Sequence, residues 1–357
     1  MNWLKEHKNQ VQSFLIGFLA FAFVLFIACG VYLYRQRKAT EAEIALRNME
    51  ANSEAANETV QDQAERRVRL DGDTVEWKGK TYKKNSYMKS VLCMGVDRSN
   101  EMTETKELGE AGQADGIFLI AQDTARNELK VLMIPRDTMT EITKLNSDGS
   151  VRGKEVDHLS MAYAFGDGRE KSCENVVESV SRMFHGFPID QYMAADTAII
   201  NTLNDAVGGV TVTVPTPGME KQDPAFVQGE KITLMGEQAM WFVRYRDIEQ
   251  EHSALFRMNQ QKEYIAGFFE AVQKKSREDS QIVTRLFEMT EDYMVTNMAK
   301  DQYLKVALDA VESNGLDGDD FFMIPGSSVP TETFDEFHVS EEEMIELLLS
   351  LFYREVS

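Results

Sequence analysis

Two pairs of residue types in this chain could handle a phosphorylated ligand. One is Arg136-Asp137, which follows Ile134-Pro135, and the other is Arg244-Tyr245-Arg246, with Arg257 a short loop later. Arginine presents a planar fork of donors matched to phosphate oxygens and stays charged at any working pH. Two further carboxylates, Asp97 and Asp115, fall beside apolar runs that read as strands. Carboxylates from neighbouring strand ends can share a hard divalent cation such as magnesium, which completes its shell with water and phosphate oxygens.

Each of these residues also has a plainer reading. A strand-end Asp is often a turn or cap residue, Asp137 could be only an ion-pair partner, and Arg98, Arg244 and Arg246 could be surface charges. Only their joint placement points to a site. His158, His185 and His252 show no ligand spacing, and no metal is assigned to them.

The elements that must position these residues begin at Ser90. Val91 to Val96 reads as a buried strand ending at Asp97. Gly116 to Gln122 and Leu129 to Ile134 read as an antiparallel pair, with Asp115 just ahead of the first and Pro135 ending the second. Glu174–Phe184 and Thr197–Val207 read as helices, the latter closed by Gly208-Gly209, with strands at 189–195 and 210–214. Gly236–Tyr245 and Arg257–Lys275 read as helices. Arg244 and Arg246 would diverge on a regular helix, so the chain is expected to be extended or irregular there. Two or three more helices follow, with a short strand near 321–324. The last helix opens on Ser340-Glu341-Glu342-Glu343, a capping-box pattern.

The whole chain has 357 residues, 43% of them hydrophobic, and a formal net charge of −21. That charge argues against nucleic acid as a partner and fits a soluble, self-repelling exterior. Phe14–Tyr34 is uncharged and apolar over roughly 20 residues, the length of a membrane-spanning helix. Residues 1–13 then form a short tail, 35–70 a polar stalk and 71–88 a hairpin leading into the main domain. Lys5 and Lys8 precede the span and Arg35, Arg37 and Lys38 follow it, a one-residue bias that taken alone leaves the large part in the cytoplasm. Cys93 and Cys173 make no disulfide framework, and whether they pair is not legible.

Taken in order, several motifs resemble the LytR/CpsA/Psr family of membrane-anchored cell-envelope proteins. They are Gly95-Val96-Asp97-Arg98, Asp115 before a strand, Ile134-Pro135-Arg136-Asp137-Thr138 and Ile189-Asp190-Gln191-Tyr192. Leu203 to Val210 with its glycine pair, Gly236-Glu237-Gln238-Ala239, Val243-Arg244-Tyr245-Arg246 and Arg257 complete the set. The likeness runs from about Lys89 to Phe269. It implies a mixed α/β fold: a central, mostly antiparallel or mixed sheet flanked by helices, with an apolar groove for a polyprenyl chain and one N-terminal transmembrane helix. It also implies Mg²⁺-dependent transfer of an anionic glycopolymer from a polyprenyl-pyrophosphate carrier to peptidoglycan. The single-pass protein would sit in the cell membrane, with residues 89–275 as an extracytoplasmic catalytic domain in contact with membrane lipid and 276–357 as a helical extension.

By that resemblance Asp97 and Asp115 are the metal ligands. Arg98, Arg136, Arg244, Arg246 and Arg257 hold the pyrophosphate, and Arg136, Asp137, Arg244 and Arg246 act in catalysis. The chain departs from the family pattern in four places, one being the acidic residue common just before Arg257, for which only Glu249 and Glu251 lie near. Gln113-Ala114-Asp115 stands where Arg-Ser-Asp is common, Arg98 follows Asp97 one residue early, and Gln260 replaces a second arginine. The departure at Gln113 motivates an alternative, a non-catalytic polyprenyl-phosphate-binding receptor or scaffold. A membrane-bound regulator is a third reading.

Overall fold

The computed structural model describes residues 68–98, 102–105, 109–146, 148–247, 253–331 and 334–356. The expected tail, membrane span and nearly all of the stalk lie outside the described residues. Among the described residues, no helix is long and apolar enough to cross a membrane. The last residues of the expected stalk are docked: Leu70 is fully buried, and its N–H donates to the His185 carbonyl at 2.8 Å.

A small hairpin comes first, β1 (Thr74–Trp77) with β2 (Lys80–Lys84). Then come β3 (Met88–Val96), β4 (Ala114–Asp123) and β5 (Glu128–Ile134), an antiparallel run in sequence order. A second hairpin, β6 (Met139–Leu145) and β7 (Val151–His158), leads into α1 (Leu159–Ala164) and α2 (Glu170–Met183). β8 (Gln191–Asp196) returns to pair parallel with β3. α3 (Ile200–Ala206), β9 (Val210–Thr213), β10 (Lys231–Leu234), α4 (Glu237–Arg244) and the long α5 (Ser253–Glu278) build a second layer. The chain closes with α6 (Ile282–Thr290), β11 (Met294–Thr296), α7 (Lys300–Val311), β12 (Phe321–Met323), β13 (Gly326–Pro330), β14 (Asp335–Val339), α8 (Glu341–Phe352) and β15 (Tyr353–Val356).

The central sheet runs β11-β8-β3-β4-β5-β12 and is mixed, with parallel pairs at β8/β3 and β5/β12. Strand periodicity sends alternate residues to opposite faces. Leu92, Met94 and Val96 of β3 join Ile117, Leu119 and Ala121 of β4 in one core beneath α1, α2 and α8. Val91 and Cys93 face the other way, against Met298 and α7. A separate apolar cluster holds β9, β10, α4, α5 and α6 together.

Residues 276–357 do more than add helices. β11 and β12 are the two edge strands of the central sheet, α8 is buried in its main core, and β15 pairs with β2. An edge strand of three residues carries too little pattern to be read from sequence. Ser340 does stand at the N-cap of α8, but its side chain makes no capping hydrogen bond. Cys93 and Cys173 are both free and buried, in different clusters.

Candidate active site

Asp97 and Asp115 reach one cavity by different routes. Asp97 continues the odd-numbered series Val91, Cys93, Gly95 beyond the end of β3, so it projects to the face away from the main core. Asp115 should by parity point into that core, since Ile117 and Leu119 do. The register changes at this point: Gly95 opposes Gly116, whereas Val96 opposes Ala114. Asp115 is therefore the extra residue of a β-bulge, which turns Ala114 inward and Asp115 outward. The strand starts at Ala114, so Asp115 lies within it and not ahead of it as the sequence suggests.

The cavity occupies about 620 Å³, its mouth included. Asp97, Asp115, Arg244 and Arg257 stand on its wall, with Phe118, Ile200, Val243, Tyr264 and Ile265 behind them. Its floor is the glycine pair Gly95 and Gly116, in register on adjacent strands. A Cβ at Gly95 would come within 3.5 Å of Thr197 Cγ2, and one at Gly116 within 3.6 Å of Gln261 Nε2. Absent side chains on two neighbouring strands leave room for a ligand against the backbone. Sequence reasoning missed both glycines; glycine inside a strand next to a chemically competent Asp was the available signal. The hydroxyls of Thr197 and Tyr264, which also line the cavity, are shielded from solvent and have no hydrogen-bond partner.

The arginines converge on these carboxylates. Arg136 pairs with Asp115 through Nη1, while its Nη2 donates to Gln113 Oε1 and, at 3.3 Å, to Ser160 Oγ. Its Nε lies 3.3 Å from Asp137 Oδ1. Arg257 approaches the other Asp115 oxygen at 3.4 Å and is only 8% exposed. Burial pulls its guanidinium below the ordinary value, and Asp115 opposes that shift. Arg244 Nη2 sits 2.9 and 3.0 Å from the two Asp97 oxygens.

The backbone explains why the arginines stay there. Pro135 ends β5, and Thr138 closes the turn with its N–H and hydroxyl on the Pro135 carbonyl. The Arg136 and Thr138 carbonyls then accept from the first N–H groups of α1, at Ser160 and Leu159. Arg244 is the last residue of α4, and Tyr245 leaves it extended at φ −52°, ψ 130°. The chain is irregular there, as expected, but the break still leaves Arg246 on partners of its own. Arg246 Nε donates to Ser253 Oγ at 2.8 Å and its Nη2 lies 3.9 Å from Asp335. Gln260, buried on α5, turns its amide nitrogen to the Phe242 and Tyr245 carbonyls at 3.1 and 2.9 Å. The residue standing in for a family arginine thus caps the helix that carries Arg244.

Arg98 stands apart. Its guanidinium is engaged by Thr103, donating to the backbone carbonyl at 2.8 Å, and it packs beside Gly168. The chain turns tightly at Asp97, where the Arg98 N–H donates to the Val96 carbonyl at 3.0 Å, and Arg98 leaves the site toward Thr103. The structure therefore gathers Asp97, Asp115, Arg136, Asp137, Arg244 and Arg257, holds Arg246 on Ser253 and Asp335 beside them, and leaves Arg98 outside.

A mixed sheet with a helical layer, and a cavity lined by arginines, carboxylates and apolar side chains together, define an α/β protein with one mixed polar and apolar site. The chain belongs to the LytR_cpsA_psr family, which it matches over residues 45–351. That span is wider than the likeness legible in the motifs.

The chain is 30% identical over 240 residues to a polyisoprenyl-teichoic acid–peptidoglycan teichoic acid transferase TagU of Bacillus cereus, across 66% of this chain and 68% of that one. To TagU of Bacillus subtilis it is 27% identical over 222 residues, across 62% and 63% respectively. The matched stretch thus spans about two thirds of these relatives' own length. In fold it resembles the solved structure of TagT bound to LI-WTA, with a TM-score of 0.56 and 18% identity over 80% of this chain and 97% of that one.

Proposed function

We propose that this protein transfers an anionic glycopolymer from a polyprenyl-pyrophosphate carrier to peptidoglycan, outside the membrane in which Phe14–Tyr34 anchors it. The observation that carries this reading is the cavity, which is lined by Arg244, Arg257, Asp97 and Asp115 together with Phe118, Ile200, Val243 and Ile265. A polyprenyl diphosphate likewise joins an anionic head to an apolar tail. The names of the TagU relatives support the same reaction class.

Arg136, Arg244 and Arg257 orient the diphosphate and meet the charge that builds on the leaving phosphate, which they stabilise more in the transition state than in the bound donor. An acceptor sugar hydroxyl attacks the glycopolymer-bearing phosphorus, a P–O bond to the bridging oxygen breaks, and polyprenyl phosphate leaves. Asp137 takes the hydroxyl proton. Its oxygen touches a single guanidinium nitrogen at 3.3 Å, whereas Arg244 holds both oxygens of Asp97. Asp97 and Asp115 are hard oxygen donors on one cavity wall and fit Mg²⁺, which commonly takes one or two carboxylates. Bound there, the ion would supply further neutralisation of the diphosphate.

The test is release of polyprenyl phosphate and glycopolymer transfer by the full chain with Mg²⁺. Arg136→Ala is expected to lower the rate by about 10²–10³-fold with the fold intact by circular dichroism. Full transfer by that variant would overturn the assignment. A wild-type chain that binds donor but never turns it over would establish the receptor reading, which Gln113 favours by offering Arg136 an acceptor where family members often carry a cation.

A further inference from the structure

Two hydroxyls in the cavity wall bond to nothing within the protein. Thr197 Oγ1 and Tyr264 Oη are both shielded from solvent without a hydrogen-bond partner, and both residues line the cavity. Tyr264 is only 9% exposed, and its ring stacks on Phe268 with centroids 6.1 Å apart, which fixes the phenol. Burial, with Asp205 adding to it, raises that phenol above its ordinary value and keeps it a protonated donor. Thr197 comes directly after β8, in a turn where the Asp196 carboxylate accepts from the Ala198 N–H at 2.7 Å.

The fold sets both residues beside the charged groups. β8 pairs parallel with β3, Gly95 against Ala195 and Val96 against Asp196, so Thr197 leaves its strand where Asp97 leaves the neighbouring one. Arg257, Gln261 and Tyr264 share the cavity face of α5. Arg257 stands over Asp115, and Gln261 over Gly116, the next residue of β4. Long helical side chains lean toward the helix N-terminus, which here is the Arg257 end. A polyprenyl tail alone would leave both hydroxyls unpaired, the costly state of a buried donor, and valine and phenylalanine would suit it better. A phosphate satisfies both. Arg257 takes one Asp115 oxygen from the cavity wall, while Arg136, which does not line the cavity, takes the other. The phosphate inside the cavity is then the one next to the tail.

We infer that Thr197 and Tyr264 donate hydrogen bonds to the lipid-side phosphate of the donor and stabilise it as it becomes the leaving group. This rests on the transferase reading above. When the P–O bond to the bridging oxygen breaks, its electron pair stays on that oxygen and the polyprenyl phosphate gains negative charge. Hydroxyls already in place and unpaired meet that charge without first breaking a bond to the protein, and they transfer no proton. The arginines of the wall differ in this respect: Arg244 and Arg257 are already engaged with Asp97 and Asp115.

The test uses the full chain in detergent with Mg²⁺ and two probes, polyprenyl monophosphate and the uncharged polyprenol. Thr197→Val and Tyr264→Phe each remove one oxygen and keep the shape. Each is expected to weaken polyprenyl monophosphate binding about tenfold and to leave polyprenol affinity unchanged. Each should melt no lower than wild type, because an unpaired buried hydroxyl is gone. Thr197→Ser should bind as wild type does. Wild-type affinity for the monophosphate in either isostere overturns the proposal. So does an equal loss for polyprenol, or a loss that comes with a lowered melting temperature, which would mark a packing role. A wild type that binds neither lipid would instead overturn the reading beneath it, so the two failures are distinguishable.

Discussion

The two faces of the central sheet are built from the same strands and end in opposite outcomes. Toward α1, α2 and α8, Leu92, Met94, Val96, Ile117 and Leu119 pack into the main apolar core. Toward α3, α4 and α5, the same strands present Gly95, Gly116, Asp97 and Asp115, and the helices stand off to leave a cavity. One face supplies stability; the other gives up packing to make space and carry charge. A single bulge at Asp115 moves a carboxylate from the first face to the second.

The contrast is open to attack by substitution. Leu92→Ala, on the sealed face, should cost about 3 kcal/mol of stability through the cavity it leaves, read by denaturant unfolding, with donor affinity in the folded fraction unchanged. Gly95→Leu, on the open face, should do the reverse. It would fill the floor and weaken polyprenyl-pyrophosphate binding about a hundredfold, with stability within about 1 kcal/mol of wild type. Equal effects of the two variants on both readouts would erase the distinction between the faces. Asp115→Asn should cost about 2 kcal/mol, because Arg257 is buried and Asp115 is its nearest anion.

The smallest expected effect concerns the thiols. Burial pushes the Cys93 thiol up to about 12 from an ordinary 9.0, and raises that of Cys173 as well. Both should resist a thiol reagent in the native state. A raised folded value means that the un-ionised thiol's contribution to stability is intact below pH 9.0. It declines as pH climbs from there toward 12 and the unfolded chain ionises first. Rapid labelling at neutral pH would contradict this.

Much of the site was legible because its residues are large, charged and placed at strand or helix ends: Arg136 after Pro135, Arg244 at the close of α4, Asp97 after β3. What sequence did not show depends on tertiary registration. The bulge that re-aims Asp115 arises from pairing between β3 and β4, and neither strand shows it alone. Arg98 looks like a site residue in Gly95-Val96-Asp97-Arg98, but a tight turn at Asp97 sends it to Thr103. The edge strands β11 and β12 are too short to carry a pattern, so 276–357 reads as added helices although it completes the sheet.

The most direct test is a crystal structure of the protein with polyprenyl pyrophosphate and Mg²⁺. The account predicts phosphate oxygens within hydrogen-bonding distance of Arg136, Arg244 and Arg257, with the prenyl chain running over Gly95 and Gly116 toward Tyr264 and Ile265. A diphosphate bound elsewhere, or a prenyl chain on the surface with this cavity still closed around its ion pairs, would contradict it.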